Sequence, residues 1–497
     1  MSEERYTDYD EILYPGLSYP STHPDHLATL AYLFGLDPRP IHRCRVLEIG
    51  CGEGTNLIPM AFGLPQSEFL GIDLAGRPIA EGQDFIQKLG LKNISLRRMN
   101  LMEFSEGQGS FDYVIAHGIY SWVPPPVQDS LLQVCRDSLR PDGIAYVSYN
   151  AYPGFYIRQM LREMMLFHVH QAPDPQTRLT QAQSLCQLLK CARVRSSALD
   201  LLLKEELTSI QQRHPACVYH DDLADVNRPV YFHEFVEHAG RHGLQYLAEA
   251  EYPMTQDADL TDPAREALHS LGDNRLLKEQ YLDFVRCRRF RQTLLCRQEA
   301  PVQSQAVRER VRFLRASSSA NPVPPDVDMD PAVEATFRGA NDATMICSHP
   351  VAKAAMLVLL DAWPRSLAYG ELVAGIGDRL GVTPPDWNVD LAAEFLLASY
   401  RLGVLQLHSY EPRYSLEPGA RPTVSPVARL QVGKGELVTN LLHLEVRFTN
   451  ENEKRLIRKL DGTRTRADLA RELDKEGGEA VDLDDFLKKL GRLALLL

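Results

Sequence analysis

The chain has 497 residues, 44% of them hydrophobic and 24% charged, and its net charge is -12 at pH 7. That length corresponds to roughly two to four globular domains. The acidic balance argues against tight non-specific binding to phosphate backbones, which needs a basic face, and it suits a basic partner such as a lysine-bearing segment. No run of about 18 apolar residues occurs, so no membrane span is expected. The opening stretch MSEERYTDYDEILYP lacks the apolar core of a secretory signal. The 9 cysteines are scattered with no CxxC pair. That is the pattern of reduced thiols in a cytoplasmic protein, with neither a disulfide frame nor a metal site expected.

Residues 1–40 lead in with Tyr, Pro and His and turn helical over 26–36, HLATLAYLFGL. RVLEI (45–49) is a short apolar run that stops at glycines, the mark of a buried parallel strand. GCGEGTNLIPMAF then reads as a glycine turn feeding a helix. A second strand (69–73), a helix (79–91), a third strand (93–100), a fourth (111–118), a helix (127–139) and a fifth strand (143–150) follow in order. Such alternation predicts a doubly wound α/β sheet with its ligand at the carboxyl ends of the strands.

Beyond residue 154 the alternation stops. Residues 155–213 read as consecutive helices, 231–253 return to helix, glycine and strand, and 286–297 offer one more strand. We expect a helical insertion (155–227), after which the sheet resumes, ending on an antiparallel strand near residue 300. An independent helical domain over 155–300 is the other reading. The Ser/Pro-rich stretch 316–331 places a linker over 301–335. Three helices and two short strands over 336–418 suggest a winged helix, and 419–497 reads as a small helical unit. Lys and Arg are sparse on the winged helix's recognition stretch, LAAEFLLASYRLG (391–403), which favours a docking or dimerising surface over nucleic-acid binding.

The chemistry sits in the first 155 residues. VLEIGCGEGTN puts Glu48, Gly50, Gly52 and Gly54 on a strand-to-helix turn, where glycines let the backbone turn tightly and a ligand approach closely. Asp73 ends the second strand, where an acid accepts both ribose hydroxyls of an adenosine ligand. The pattern is ExGxGxG rather than GxGxxG, and no basic residue is placed for a pyrophosphate. No P-loop and no HExxH occur.

At these residues the sequence resembles the class I S-adenosylmethionine-dependent methyltransferases. THPDHLATLAYLFGL, HGIYSWVP, SYNAYPG, FVEHAGRHGLQYLAEA and FRQTLLC narrow the likeness to bacterial methyltransferases with a methyltransferase regulatory domain, a group that includes protein-lysine methyltransferases. The resemblance covers about residues 5–300. It implies a Rossmann-like sheet with a helical insertion, followed by a mostly α winged-helix-like region. It also implies S-adenosylmethionine as cofactor, held by Glu48, Gly50, Gly52, Gly54, Asp73, Leu74, Asn100, Leu101, Met102 and His117. Asn100 stands where the family often has Asp, and its side-chain oxygen still accepts a bond from an adenine amino group.

Transfer from a sulfonium methyl is an in-line displacement and needs no covalent enzyme intermediate. Aromatic walls suit the cationic sulfonium and a methylammonium product. Tyr120, Asn150 and Asp221 are the expected catalytic residues. Tyr14, His23, Trp122, Tyr149, Tyr152 and His220 are expected around the acceptor, with Tyr9 and Tyr19 on an N-terminal segment folding over the cofactor. The expected acceptor is a protein side chain, lysine first, docking on the insertion and the C-terminal region. A small-metabolite acceptor, a cofactor-binding regulator without catalysis, and a homodimer stay open.

Overall fold

The computed structural model describes residues 7–105, 109–192, 197–339, 342–382, 390–476 and 482–497. The start of the N-terminal stretch, residues 1–6, lies outside them. In chain order the first unit contains α1 (Asp8–Glu11), α2 (Pro24–Leu33), β1 (Arg45–Ile49), α3 (Leu57–Gly63), β2 (Glu68–Asp73), α4 (Gly76–Leu89), β3 (Ile94–Arg98), β4 (Phe111–Ala116), α5 (Pro125–Ser138) and β5 (Leu139–Asn150). Then come α6 (Tyr156–Val169), α7 (Pro175–Cys191), α8 (Ala198–Gln212) and α9 (Pro215–Cys217), which runs into a π-helical turn over Val218–Asp222. The unit closes with α10 (Phe232–Arg241), β6 (Leu244–Glu249), α11 (Asp262–His269), α12 (Arg275–Arg286) and β7 (Phe290–Arg297).

These seven strands form one sheet in the order β3-β2-β1-β4-β5-β7-β6. β1 to β5 pair in parallel, and β7 runs antiparallel to both β5 and β6. The sheet therefore resumes after the insertion. β4 is buried along its whole length, as a strand covered by helices on both faces must be. Strand order reverses between β1 and β4, which opens a crevice at their carboxyl ends. β7 is clamped by the fully buried Arg291. Its Nε and Nη2 donate to Asp283 at 2.8 Å each and Nη2 to Glu279 at 3.1 Å, Nη1 donates to Glu249, and the guanidinium lies 3.9 Å from the Phe232 ring centre.

Residues 301–335 are not a free linker. The Gln303 and Val307 N–H groups donate to the carbonyls of Phe34 and Leu33 at the end of α2, at 2.8 and 2.7 Å. Val311, Leu314 and Ala316 join the core beneath the sheet. The segment supplies β8 (Arg315–Ser317) and β9 (Asn321–Pro322), which precede β10 (Ala335–Arg338), β11 (Thr344–Cys347), α13 (Pro350–Ala362), β12 (Leu367–Ala368), α14 (Tyr369–Leu380), α15 (Asp390–Arg401) and β13 (Gln406–His408). β8 sits between β12 and β13. Three helices and a three-stranded sheet thus form a winged-helix-like module whose middle strand comes from the presumed linker. Its core is continuous with that of the first unit. The last module holds α16 (Pro426–Gln431), β14 (Leu437–Thr439), β15 (Glu445–Arg447), α17 (Glu451–Lys459), α18 (Arg466–Glu476) and α19 (Leu483–Arg492) around a separate core.

Candidate active site

The turn after β1 is built on positive φ angles of 73°, 54° and 75° at Gly50, Gly52 and Gly54. A side chain at Gly50 would run into Ile119 at 2.2 Å, whereas a Cβ on Gly52 would meet nothing within 4 Å. The loop is thus closed behind and open at Gly52, which lines a cavity of about 1400 Å³ at the strand-order reversal. Both Asp73 oxygens accept backbone N–H bonds, Oδ2 from Gly52 at 2.8 Å and Oδ1 from Ala75 at 2.9 Å. That fixes the carboxylate at the mouth of the loop and leaves each oxygen a second lone pair. Burial raises its pKa above the ordinary carboxylate range.

Glu48 is only 4% exposed and lines the same cavity. Its Oε1 accepts from Asn56 Nδ2 at 2.7 Å, and its buried Oε2 has no hydrogen-bond partner among the described residues. Burial pushes its pKa up to about 8. A buried, unpartnered carboxylate oxygen is a rare feature in a protein interior and marks a place for a ligand group. Leu74 and Met102 stand 48% and 54% exposed at the cavity rim, available to cover an aromatic base. Asn100 lines the cavity, and its Oδ1 accepts from the Met102 N–H at 3.0 Å, so it also shapes the turn that presents Leu101 and Met102. An open glycine loop, a ribose-height acid, an orphaned carboxylate oxygen and an apolar rim fit an adenosine ligand that carries a cationic tail.

The other end of the cavity is assembled from distant segments. His117, at the end of β4, lies under the Tyr19 ring with centroids 3.8 Å apart, and burial lowers its pKa to about 4. Tyr14 donates through its hydroxyl to Asp221 Oδ2 at 3.2 Å. Asp221 and Asp222 come from the π-helical turn, and both line the cavity. Arg158 pairs with Asp222 through Nε and Nη2 at 2.7 Å each, and Arg213 pairs with Asp221. Asn150 reaches the same turn through Asn227, whose Nδ2 donates to the Asp221 carbonyl at 3.1 Å. Trp122 and Phe290 complete the wall. The final module closes the floor. Lys434 lies 3.0 Å from Glu53, His443 Nε2 is 3.0 Å from Asn56 Oδ1, and Glu445 accepts from the Ser18 N–H at 3.0 Å.

Five of the expected residues stand elsewhere. Tyr120 points into the packing between β5 and α10, its hydroxyl 2.8 Å from His238 Nδ1. Tyr149 is also buried there, 4.1 Å from the Phe235 ring and bonded to Thr293 at 3.0 Å. Alternation along β5 explains this, because Asn150 faces the cavity and Tyr149 must face the opposite side. Tyr152 stacks on Tyr156 at 4.1 Å, away from the cavity lining. His23 caps α2, accepting from the Asp25 N–H at 3.1 Å. His220 stacks on Tyr9 at 4.0 Å and bonds the Ile12 carbonyl at 2.6 Å, so it anchors the N-terminal segment from behind. Arg158, Arg213, Phe290 and Lys434 were not anticipated. Phe290 opens the FRQTLLC stretch, Arg158, Arg213 and Lys434 belong to no recognised motif, and only folding brings the four to the cavity.

This fold and this site define a class I S-adenosylmethionine-dependent methyltransferase. Three family models match the chain: "Methyltransferase domain" over residues 46–143, "Predicted methyltransferase regulatory domain" over 214–297, and "PKMT, C-terminal winged helix domain" over 420–481. The last falls on the segment read from sequence as a small helical unit. The chain is 30% identical over 467 residues to the uncharacterized protein RP789 of Rickettsia prowazekii, covering 92% of this chain and 84% of the relative. It is 36% identical over 240 residues to RP028 of the same organism, covering 48% of this chain and 96% of the relative. PKMT2 from Rickettsia typhi in complex with AdoHcy superposes with a TM-score of 0.85 at 26% identity, over 97% of this chain and 99% of PKMT2. The chain belongs to the same family as RP789, carries a methyltransferase domain and a methyltransferase regulatory domain, and its cofactor is S-adenosylmethionine.

Proposed function

We propose that the methyl acceptor is a lysine side chain of a protein. The observation that carries this reading is the acceptor end of the cavity, where Tyr14 and Asp221 are hydrogen-bonded and Tyr19 lies on His117. Its charge supports the same reading. Asp8, Glu48, Glu53, Asp73, Glu81, Asp221 and Asp222 line the cavity against Arg158, Arg213 and Lys434, and each of those cations is already paired with a carboxylate. A carboxylate excess among aromatic rings suits an aliphatic ammonium. The likeness to AdoHcy-bound PKMT2 along nearly the whole chain supports a methyltransferase of the same kind.

S-adenosylmethionine supplies the electrophilic methyl group. The protein's task is to present an amine lone pair to it. A lysine with a pKa near 10.4 costs about 4.6 kcal/mol to deprotonate at pH 7. Tyr14, Tyr19 and the neutral His117 desolvate the incoming side chain, which lowers its pKa. Asp221 holds and orients the amine, and burial makes this carboxylate more basic than an ordinary one, with Arg213 opposing. Glu48 and Asp73 position the cofactor.

The protein substrate docks along the insertion, in our reading. The insertion exposes large apolar side chains, among them Phe167, Leu188 and Leu201 of α6, α7 and α8 at 79%, 63% and 61%. A second copy of the chain is the other occupant of that surface, and the mass of the purified protein in solution distinguishes the two. No helix among the described residues is long and apolar enough to cross a membrane. All 9 cysteines are unpaired, which supports a cytoplasmic setting.

The test is transfer of radiolabelled methyl from S-adenosylmethionine into host-cell lysate, split into protein and small-molecule fractions, with Asp73→Ala as control. Label in protein that hydrolyses to methyllysine is the expected result. Label confined to small molecules, or to another amino acid, overturns the lysine reading.

A further inference from the structure

His238 and His242 lie one helical turn apart, on α10 and at its carboxyl-terminal cap, and so share a face. Opposite them stands Asp129 of α5, whose Oδ1 is 2.9 Å from His238 Nε2 and 3.2 Å from His242 Nε2. The protonation of His242 follows from its neighbours. Gln133 Nε2 donates to Asp137 at 2.8 Å, which turns Gln133 Oε1 toward His242 Nδ1 at 3.3 Å. An amide oxygen only accepts, so Nδ1 carries the hydrogen. In a neutral ring the Nε2 lone pair then faces a carboxylate oxygen. Two lone pairs at that distance repel, and a cation between them removes the conflict.

From this arrangement we infer a binding site for a divalent transition-metal ion of the zinc class, formed by Asp129, His238 and His242 and separate from the cofactor cavity. The three donor atoms lie within 4.8 Å of one another. Metal bonds of about 2.0–2.1 Å need tetrahedral donors roughly 3.4 Å apart, which small side-chain rotations supply. Both imidazoles have an oxygen to hold their Nδ1–H groups, Tyr120 Oη for His238 at 2.8 Å and Gln133 for His242. Such partners orient metal-ligating histidines. Two imidazoles and one carboxylate, with no thiolate, favour Zn²⁺, Co²⁺ or Ni²⁺ over Mg²⁺ or Ca²⁺. A cavity of about 380 Å³, lined by Asp129, Gln133 and His242, leaves the fourth position to water. The ion would tie α5 of the methyltransferase core to α10 of the regulatory region, stabilising the pair by linkage.

The experiment is a titration of the full-length, chelator-stripped protein with Co²⁺, followed in the visible spectrum, with Zn²⁺ added afterwards as competitor. One equivalent giving the bands of a four-coordinate nitrogen and oxygen site, displaced by Zn²⁺, is expected. His242→Ala and Asp129→Asn should each weaken binding by at least about 100-fold, and Gln133→Leu by about 10–100-fold. Asp129 is 57% exposed, so Asp129→Asn spares the fold, which unchanged cofactor affinity verifies. Absence of stoichiometric binding, thiolate charge-transfer bands, or binding indifferent to His242→Ala and Asp129→Asn overturns the site.

Discussion

Replacing Glu48 by Gln tests how the cavity recognises a cationic ligand. Glu48 is buried, uses one oxygen on Asn56 and leaves the other unpartnered among the described residues, and its pKa is raised to about 8. In the ligand-free protein the carboxyl group is therefore largely protonated at neutral pH. Binding a ligand with a positive tail favours the anion, so Glu48 must give up its proton. Each pH unit below 8 adds about 1.4 kcal/mol to that step, a factor of ten in affinity. Cofactor affinity should rise about tenfold per unit from pH 6 to 8 and then level off. Glu48→Gln cannot ionise, so its profile should lack this rise, and its affinity at pH 8 should be lower by about 1.5–3 kcal/mol. Calorimetric titration with S-adenosylhomocysteine in buffers of different ionisation enthalpy measures both affinity and protons released. The ligand's own amine titrates equally in both proteins and cancels in the comparison. Parallel profiles, or equal proton release, would refute the argument. The same raised pKa has a stability consequence with a definite sign. A carboxyl group whose folded-state pKa exceeds its unfolded value stabilises the fold below pH 4.5 and loses that contribution as pH rises through about 8. The ligand-free wild type should lose stability across that window, and Glu48→Gln should lose less.

Tyr14→Phe removes the hydroxyl bond to Asp221; kcat/KM for methyl transfer should fall about 10–100-fold with cofactor affinity unchanged, as single-turnover assays would reveal. Tyr120→Phe should leave methyl transfer within about twofold and cost roughly 1 kcal/mol of stability, because its hydroxyl bonds His238 outside the cavity; a large loss of transfer would contradict that placement. Arg291→Met leaves Glu249, Glu279 and Asp283 facing one another without their main counter-charge, and should destabilise the fold by about 3–5 kcal/mol in urea titration.

The cofactor end of the site was legible in the sequence because short-range rules produce it. A buried strand, a turn that needs left-handed backbone at Gly50, Gly52 and Gly54, and an acid at the next strand end lie within one contiguous stretch, and no distant contact is needed to recognise them. The resumption of the sheet at β6 and β7 was legible for the same reason, since each strand carries its own pattern. The acceptor end was only partly so. Tyr14, His117, Asp221 and Lys434 share one cavity although they come from separate stretches of the chain, and no spacing along the sequence encodes that. Alternation says that Tyr149 and Asn150 face opposite sides of the sheet, but only the packing of α10 against β5 decides which side holds the ligand. Tyr120 looked like a site residue until its partner appeared 118 positions away. Residues 301–335 read as a linker from their Ser and Pro content, yet they bond the end of α2 and supply β8. The sequence by itself determined the α/β sheet, the cofactor class and the glycine turn and acid that line the cavity at the strand-order reversal. Only the tertiary structure decided what surrounds the acceptor, because those residues are joined through hydrogen bonds and packing between segments that local patterns cannot connect.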